Sequence, residues 1–346
     1  MLRERAARVQ ARPLRNRPLS AGGSDVTRTL RVATRGSALA RAQTGHVVAA
    51  LREATGVEIE TVIITSEGDR STESLASLGG TGVFASALRE ALLAGDCDLI
   101  VHSLKDLPTA PYEGLVIGAV PEREDPRDAL CTRDGLTLDE LPEGARVGTG
   151  SPRRVAQLLA LRPDLEIVDI RGNVDTRLGR VREGDLHAVV LASAGLARLG
   201  RLDEASELFA LDIWPTAPGQ GALAIETREG DSIPELLSIE HTPTRTAVLA
   251  ERSVLAALEA GCAAPIGATA VVTGDSLALS ATVYQADGEA ELGCERSADL
   301  LGDDHLVAEL LGQAVATQLL EDGAAELAPV GPAAELRDDN WPGGTE

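Results

Sequence analysis

The chain has 346 residues, is 44% hydrophobic but only 2% aromatic, and carries a formal charge of −22. That length exceeds one ordinary core and predicts two or three domains whose interiors are built from Ala, Val, Leu and Ile. The acidity excludes a general binder of nucleic acid or anionic membranes, and no apolar run reaches the roughly 18–20 residues of a membrane-spanning helix. Four cysteines, Cys97, Cys131, Cys262 and Cys294, have no Cys-x-x-Cys spacing, and the five histidines have no short ligand spacing. Neither a disulfide scaffold nor a metal site is expected, and a reducing cytoplasm fits best.

Residues 1–28 are arginine-rich but lack the apolar stretch of a secretory signal, so they are expected to be a disordered tail. From Leu30 onward, short β-rich runs alternate with longer helical ones, the signature of βαβ units and a mostly parallel sheet. The first unit takes strands at 30–34, 57–65, 99–101 and 115–120 and helices at 37–55 and 83–94. A Gly/Ser/Thr-rich stretch at 66–82 is too long for a mere connector. The charged, proline-punctuated run 121–126 is a first crossing between domains. A second α/β unit follows, with strands at 129–132, 146–148, 166–170 and 188–191 and helices at 152–161 and 174–183. Pro215, Pro218, Gly219 and Gly221 mark a second crossing, after which the strand at 222–227 is placed to return to the first sheet. The last portion changes character: a helix at 242–258, a loop at 261–267, short antiparallel strands at 269–272, 277–284 and 291–296, and a closing helix at 304–320. Residues beyond 330 are rich in Pro, Gly and Asp and are expected to be disordered.

The run from Leu99 to Val101 ends in His102-Ser-Leu-Lys-Asp-Leu-Pro108, and Lys105 is the only lysine in the chain. Ligands of open α/β sheets sit beyond the carboxyl ends of the strands, so Lys105 and Asp106 lie either at a site mouth or in a solvated turn. Three arginine-bearing segments also stand where a strand hands over to a helix: Thr34-Arg-Gly-Ser37, Thr149-Gly-Ser-Pro-Arg-Arg154 and Arg171-Gly-Asn-Val-Asp-Thr-Arg177. Helix-start amides favour anions, and guanidinium forks add bidentate carboxylate or phosphate binding. Arg153 and Arg154 oppose the helix dipole, a local conflict that favours a functional reading. The glycines of Gly79-Gly-Thr-Gly82 do not match a dinucleotide or Walker loop. Cys262 stands between Gly261 and an Ala-Ala-Pro turn, where a thiol is either inert or available for covalent chemistry.

Together, His102-Ser-Leu-Lys-Asp-Leu-Pro108, Glu122-Arg-Glu-Asp-Pro-Arg-Asp128, Val147-Gly-Thr-Gly-Ser-Pro-Arg-Arg154, Arg171-Gly-Asn-Val174 with Thr176-Arg177, Pro218-Gly-Gln-Gly221, and Gly261-Cys262 before Pro265-Ile-Gly267 resemble the hydroxymethylbilane synthase (porphobilinogen deaminase) family. The resemblance runs in order from about Leu30 to about Ala328. It implies a transferase of tetrapyrrole and haem biosynthesis that joins four porphobilinogen molecules head to tail with release of ammonia. The growing chain stands on a dipyrromethane cofactor held by a thioether to Cys262. The implied fold is α/β: two domains of the periplasmic-binding-protein kind around a cleft, and a smaller α+β C-terminal domain presenting the cysteine. The corresponding boundaries are a tail at 1–28, domain 1 at 29–122 with 222–238, domain 2 at 127–216, domain 3 at 241–330 and a tail at 331–346.

Carried across by position, the catalytic group is Asp106, with Lys105 and Arg35. The cofactor binders are Cys262, Ser103, Lys105, Asp106, Ser151, Arg153, Arg154 and Arg171, and the substrate binders are Arg35, Ser37, Arg171, Arg177 and Arg198. Gln220 is a further candidate on the hinge side. Ser77 and Thr81 stand where many relatives have lysines. The resemblance also implies a cytoplasmic monomer that uses no metal, nucleic acid or membrane. A small-anion binding module would share the hinged architecture and arginines without needing Cys262 or Asp106, and a nucleotide-dependent enzyme would need a phosphate loop that the chain lacks.

Overall fold

A computed structural model of the protein describes residues 29–64, 83–260 and 264–331. The two tails, the stretch 66–82 with Ser77 and Thr81, and Cys262 lie outside the described residues.

In chain order the elements begin with β1 (Thr29–Arg35), α1 (Ala38–Thr55), β2 (Glu58–Ile64), α2 (Val83–Ala94), β3 (Leu99–Ser103) and β4 (Leu115–Ala119). The second group is β5 (Asp128–Thr132), β6 (Arg146–Gly148), α3 (Pro152–Leu161), β7 (Glu166–Val168), α4 (Val174–Arg182), β8 (Ala188–Ala192), α5 (Ser193–Arg198) and β9 (Glu207–Leu208). The chain then runs through β10 (Leu223–Arg228), α6 (Thr242–Ala257), β11 (Ile266–Thr273), β12 (Ser276–Tyr284), β13 (Glu291–Asp299), α7 (Asp304–Glu321) and α8 (Ala324–Leu327). Local chemistry sets several of the helix starts. Ser37 caps α1 by accepting from the Ala40 amide at 3.3 Å, Asn173 caps α4 by accepting from Thr176 at 2.9 Å, and Asp303 caps α7.

These strands form two five-stranded sheets, ordered β2-β1-β3-β10-β4 and β7-β6-β8-β5-β9, and a three-stranded sheet ordered β11-β12-β13. The two larger sheets share one plan. In each, a parallel trio is followed by a strand arriving from the other unit and then by an edge strand. β1 pairs in parallel with β2 and β3, whereas β10 runs antiparallel between β3 and β4. In the second sheet β6 is parallel to β7 and β8, and β5 is antiparallel to β8 and β9. Four of the five strands in each sheet therefore run the same way, as alternation of strands and helices predicts, and one, β10 or β5, runs against them. β5 and β10 each follow a crossing and enter their sheet from the end where its parallel strands finish, so they must run back.

Successive side chains of a strand face opposite sides, and both faces here are covered. Leu30, Val32, Leu99 and Val101 pack with Val47, Val48 and Leu51 of α1, while Ala33 and Ile100 pack with Leu88 and Leu92 of α2. In the second sheet Leu130, Val147 and Val190 meet Leu158 of α3, and Ala129, Val189 and Leu191 meet Leu178 and Val181 of α4. This explains why the strands read as continuous apolar runs. The third sheet is covered on one face by α6 and α7, whose Ala250, Val254, Ala308 and Val315 close over Ala268, Leu279 and Ala281. Among the described residues no helix is long and apolar enough to cross a membrane.

The contact between α6 and α7 depends on Gly312, where an added Cβ would stand 2.5 Å from the Ala250 carbonyl oxygen and from the Ser253 Cβ. Gly312→Ala is therefore expected to force the two helices apart and cost about 1–3 kcal/mol of stability, read from urea denaturation.

Candidate active site

The carboxyl ends of the parallel strands converge on one region. β1 ends at Arg35 and leads through Gly36 to the Ser37 cap, and β3 ends at Ser103 and passes into a 3-10 turn, Leu104–Asp106. From the second sheet, β6 leads through Thr149 and Gly150 to Ser151 at the start of α3, and β7 leads through Asp169 to Arg171 just ahead of α4. The sequence-predicted residues thus occupy the position at which open α/β sheets bind ligands.

The turn carrying Lys105 and Asp106 is tied down from two sides. The Leu104 amide donates to the Ala222 carbonyl at 3.0 Å, joining the turn to the second crossing. From α6 of the C-terminal unit, the Arg252 guanidinium donates to the carbonyls of Leu104 (3.3 Å), Leu107 (2.9 Å) and Pro108 (2.6 Å). Burial, with Arg89 nearby, pulls Arg252 down to about 10. Leu104 and Leu107 are buried, so the turn is anchored by its apolar residues while Asp106 stays exposed and Lys105 is half-buried between them.

Lys105 Nζ donates to Gln220 Oε1 at 3.1 Å. Loss of hydration, together with the Arg154 and Arg153 guanidiniums, lowers its pKa from 10.5 to about 8, against the opposing pull of Asp106 and Asp128. Gln220 in turn donates from Nε2 to the Pro126 carbonyl (2.6 Å) and to Asp128 Oδ1 (2.8 Å).

Asp128, fully buried at the start of β5, is the hub of the second unit. Its carboxylate accepts from Arg153 (2.8 Å), from Arg154 at both oxygens (3.1 and 2.6 Å) and from the Trp214 indole (2.9 Å). Burial opposes ionisation, yet the two guanidiniums hold this carboxyl far below the usual range. Arg153 continues to Gln157 Oε1 (2.6 Å) and the Pro215 carbonyl (3.0 Å), and Gln157 reaches the hydroxyl of Tyr284 in the C-terminal unit at 3.0 Å. The conflict with the helix dipole that pointed to an anion is thus met inside the protein: the anion on Arg153 and Arg154 here is Asp128.

Arg177 donates from Nε to the Gly172 carbonyl at 2.9 Å, and burial together with Arg154 and Arg171 pulls its pKa down to about 10, opposed by Asp169. Arg171 is exposed, with its Nε 3.9 Å from Asp169. One cluster therefore spans both sheets, with Lys105, Arg153, Arg154, Arg171 and Arg177 outweighing Asp106, Asp128 and Asp169. The hydroxyl of Ser37 is engaged in capping, and those of Ser103 and Ser151 make no cap bond. Arg198 is directed elsewhere. It is buried, donates to the Gly221 carbonyl at 2.6 Å, and lines a cavity of about 550 Å³ with His46, Glu53, Glu122 and Glu124.

Residues 30–235 match the family described as "Porphobilinogen deaminase, dipyromethane cofactor binding domain", and residues 245–321 match "Porphobilinogen deaminase, C-terminal domain". The chain is 61% identical to a porphobilinogen deaminase of Leifsonia xyli subsp. xyli, covering 87% of this chain and 94% of that one. The chain belongs to the porphobilinogen deaminase family. A relative from Thermobifida fusca, also a porphobilinogen deaminase, is 54% identical over 87% of this chain and 96% of its own length. Among solved structures, the methionine-binding protein MetQ is a remote match, 13% identical over 61% of this chain and 88% of that one, with a TM-score of 0.40.

Within this porphobilinogen deaminase fold, sequence reasoning gave no role to Asp128, Trp214, Glu251 or Arg252. Asp128 carried one legible signal, a carboxylate leading directly into the apolar run Ala-Leu-Cys of a buried strand. Glu251 and Arg252 carried none, since the groups they hold on other elements, Arg123 for Glu251 and the Leu104, Leu107 and Pro108 carbonyls for Arg252, all lie more than a hundred residues away along the chain. Asp128→Asn leaves two buried guanidiniums without their counter-charge and is expected to lower the unfolding free energy by about 3–5 kcal/mol, measured by denaturant titration.

Proposed function

We propose that the chain acts as a hydroxymethylbilane synthase, condensing four porphobilinogen molecules head to tail and releasing ammonia at each step. The observation that carries this reading is the surplus of cationic side chains around an exposed Asp106, in a chain of the porphobilinogen deaminase family. Lys105 and Arg177 are each less basic than usual because burial and neighbouring cations disfavour their charge. A ligand bearing several carboxylates relieves that cost, and the acetate and propionate groups of linked pyrroles are such a ligand. The donor set therefore suits a dipyrromethane group.

Ser103, Lys105, Asp106, Ser151, Arg153, Arg154 and Arg171 are its proposed contacts, with Cys262 as the thioether anchor. When bound, that group supplies a terminal pyrrole with a free α-carbon, the nucleophile for the first condensation. Arg35, Ser37, Arg171 and Arg177 are the proposed contacts for incoming porphobilinogen, whereas Arg198, expected from the resemblance to join them, is turned to the Gly221 carbonyl.

Departure of ammonia leaves a positively charged pyrrole, and formation of the new carbon–carbon bond leaves a second cation that must lose its α-proton. The Asp106 carboxylate, fixed at the end of β3 and open to the cleft, stabilises the first charge and accepts the proton of the second. Arg252 keeps that carboxylate in place by gripping three carbonyls of its turn. The cysteine pattern supports a cytoplasmic setting, and the reading carries with it action as a monomer and a place in haem formation.

Purified protein is expected to consume porphobilinogen with release of ammonia and to show the mass of a dipyrromethane adduct. Cys262→Ser is expected to lack both the adduct and turnover, and absence of both from the native chain would overturn the assignment. Asp106→Asn is expected to keep the adduct's binding residues and the melting temperature while kcat falls by about 10²–10⁴-fold.

A further inference from the structure

Gln220 sits where three parts of the molecule meet. Its flanking glycines, Gly219 and Gly221, have φ of 77° and 85°, and a Cβ at either would press on Leu104 or on the Glu124 carbonyl oxygen. Only glycine serves at both positions, so the backbone on each side of Gln220 is pinned, one flank against the turn of Lys105 and the other against the first crossing. The Gly219 amide also donates at 2.7 Å to Glu251, itself fully buried on α6.

With the backbone held, the side chain is fully buried and has one orientation that satisfies its neighbours. Lys105 Nζ can only donate, while Asp128 Oδ1 and the Pro126 carbonyl can only accept, so the amide oxygen must face the lysine and the amide nitrogen the two oxygens. A flipped amide would set donor against donor and acceptor against acceptor.

We propose that Gln220 is a positioning residue for the reaction: it fixes Lys105 Nζ on the first unit against the Asp128–Arg153–Arg154 cluster of the second, holding the ammonium ready for a substrate carboxylate. This rests on the reading of Lys105 as a carboxylate contact. The groups facing the lysine are Asp106 on its own turn, Arg153 and Arg154 from α3, and Asp128 from β5. Two arginines disfavour the ammonium and two carboxylates favour it, which leaves the Gln220 oxygen as a neutral acceptor whose loss or ionisation moves the balance in a known direction. Gln220 also joins the two sheets at the lysine, so Lys105 takes this position when the units are aligned as they are here.

The test exploits the single lysine. Full-length holoprotein carrying isotope-labelled lysine gives one side-chain resonance, whose titration midpoint is expected above the value of about 8 that the protein groups alone impose, because the bound carboxylates favour the ammonium. Gln220→Met removes the acceptor and is expected to lower the midpoint by about 1 unit, whereas Gln220→Glu replaces it with an anion and is expected to raise it by a similar amount, about 1 unit. A purely structural defect would not move the two variants in opposite directions. In steady-state assays Gln220→Met is expected to raise KM for porphobilinogen about tenfold with kcat within about twofold, and to have no such effect in a Lys105→Met background. An unchanged midpoint in Gln220→Met, shifts of the same sign in both variants, or an equal KM rise without Lys105 would overturn the proposal. If Lys105→Met alone leaves KM unchanged, the carboxylate role of Lys105 fails instead, and the resonance still decides whether Gln220 positions it.

Discussion

A single buried carboxylate holds the cleft together. Asp128 has lost all contact with water, which is costly for an isolated charge, yet two guanidiniums, an indole and an amide surround it. Those four partners come from α3, from the segment between β9 and the second crossing, and from the crossing itself. One anion therefore fixes the start of α3, the large aromatic of the second unit's core and the connection back to the first sheet. Trp214 stacks on Phe209 at 4.1 Å between ring centres, so the same anchor reaches an apolar layer in a chain with few aromatics. Removing Asp128 would not delete one bond but would leave several groups without a reason to be where they are.

Electrostatic placement explains how so acidic a chain can serve an anionic substrate. The formal charge of −22 belongs to the whole surface, while the cleft gathers arginines at the ends of strands from both sheets. Low-dielectric walls focus that local field, and a carboxylate-bearing ligand is drawn to this region of opposite sign. The surplus is deliberate in physical terms: Lys105 and Arg177 are held in charged company that disfavours them, a strain that a polyanion relieves. Arginine suits most of these positions because its planar fork remains charged under crowding, whereas Lys105 alone can change protonation near neutral pH.

Much of this was legible in the residues. Proline and glycine at the second crossing announced that the strand after it leaves the second unit, and β10 does lie in the first sheet. The isolation of Lys105 beside Asp106 marked the turn at the end of β3. The directions of β5 and β10 were not legible, because alternation of strand and helix reports neighbours along the chain and not the side from which a returning strand enters. Arg153 and Arg154 illustrate the same limit. Their unfavourable place at a helix start signalled an anion, but composition could not say that a buried aspartate supplies it. Contacts such as Arg252 with the Leu107 carbonyl link residues far apart in sequence, and no local pattern encodes them.

The C-terminal unit is fastened to its two neighbours by bonds of different kinds. Toward the first unit and the crossing, Glu251 takes both ends of the Arg123 guanidinium and the Gly219 amide, while Arg252 grips three carbonyls. Toward the second unit, Tyr284 meets Gln157 through a neutral hydrogen bond, and Gly288 lies against the backbone of α3. Hydrogen bonds involving a charged group contribute about 1.5–3 kcal/mol each and neutral ones about 0.5–1.5 kcal/mol. The third unit is thus held to the first by charged groups and to the second by neutral ones, so a single charge reversal on α6 strikes one seam and spares the other.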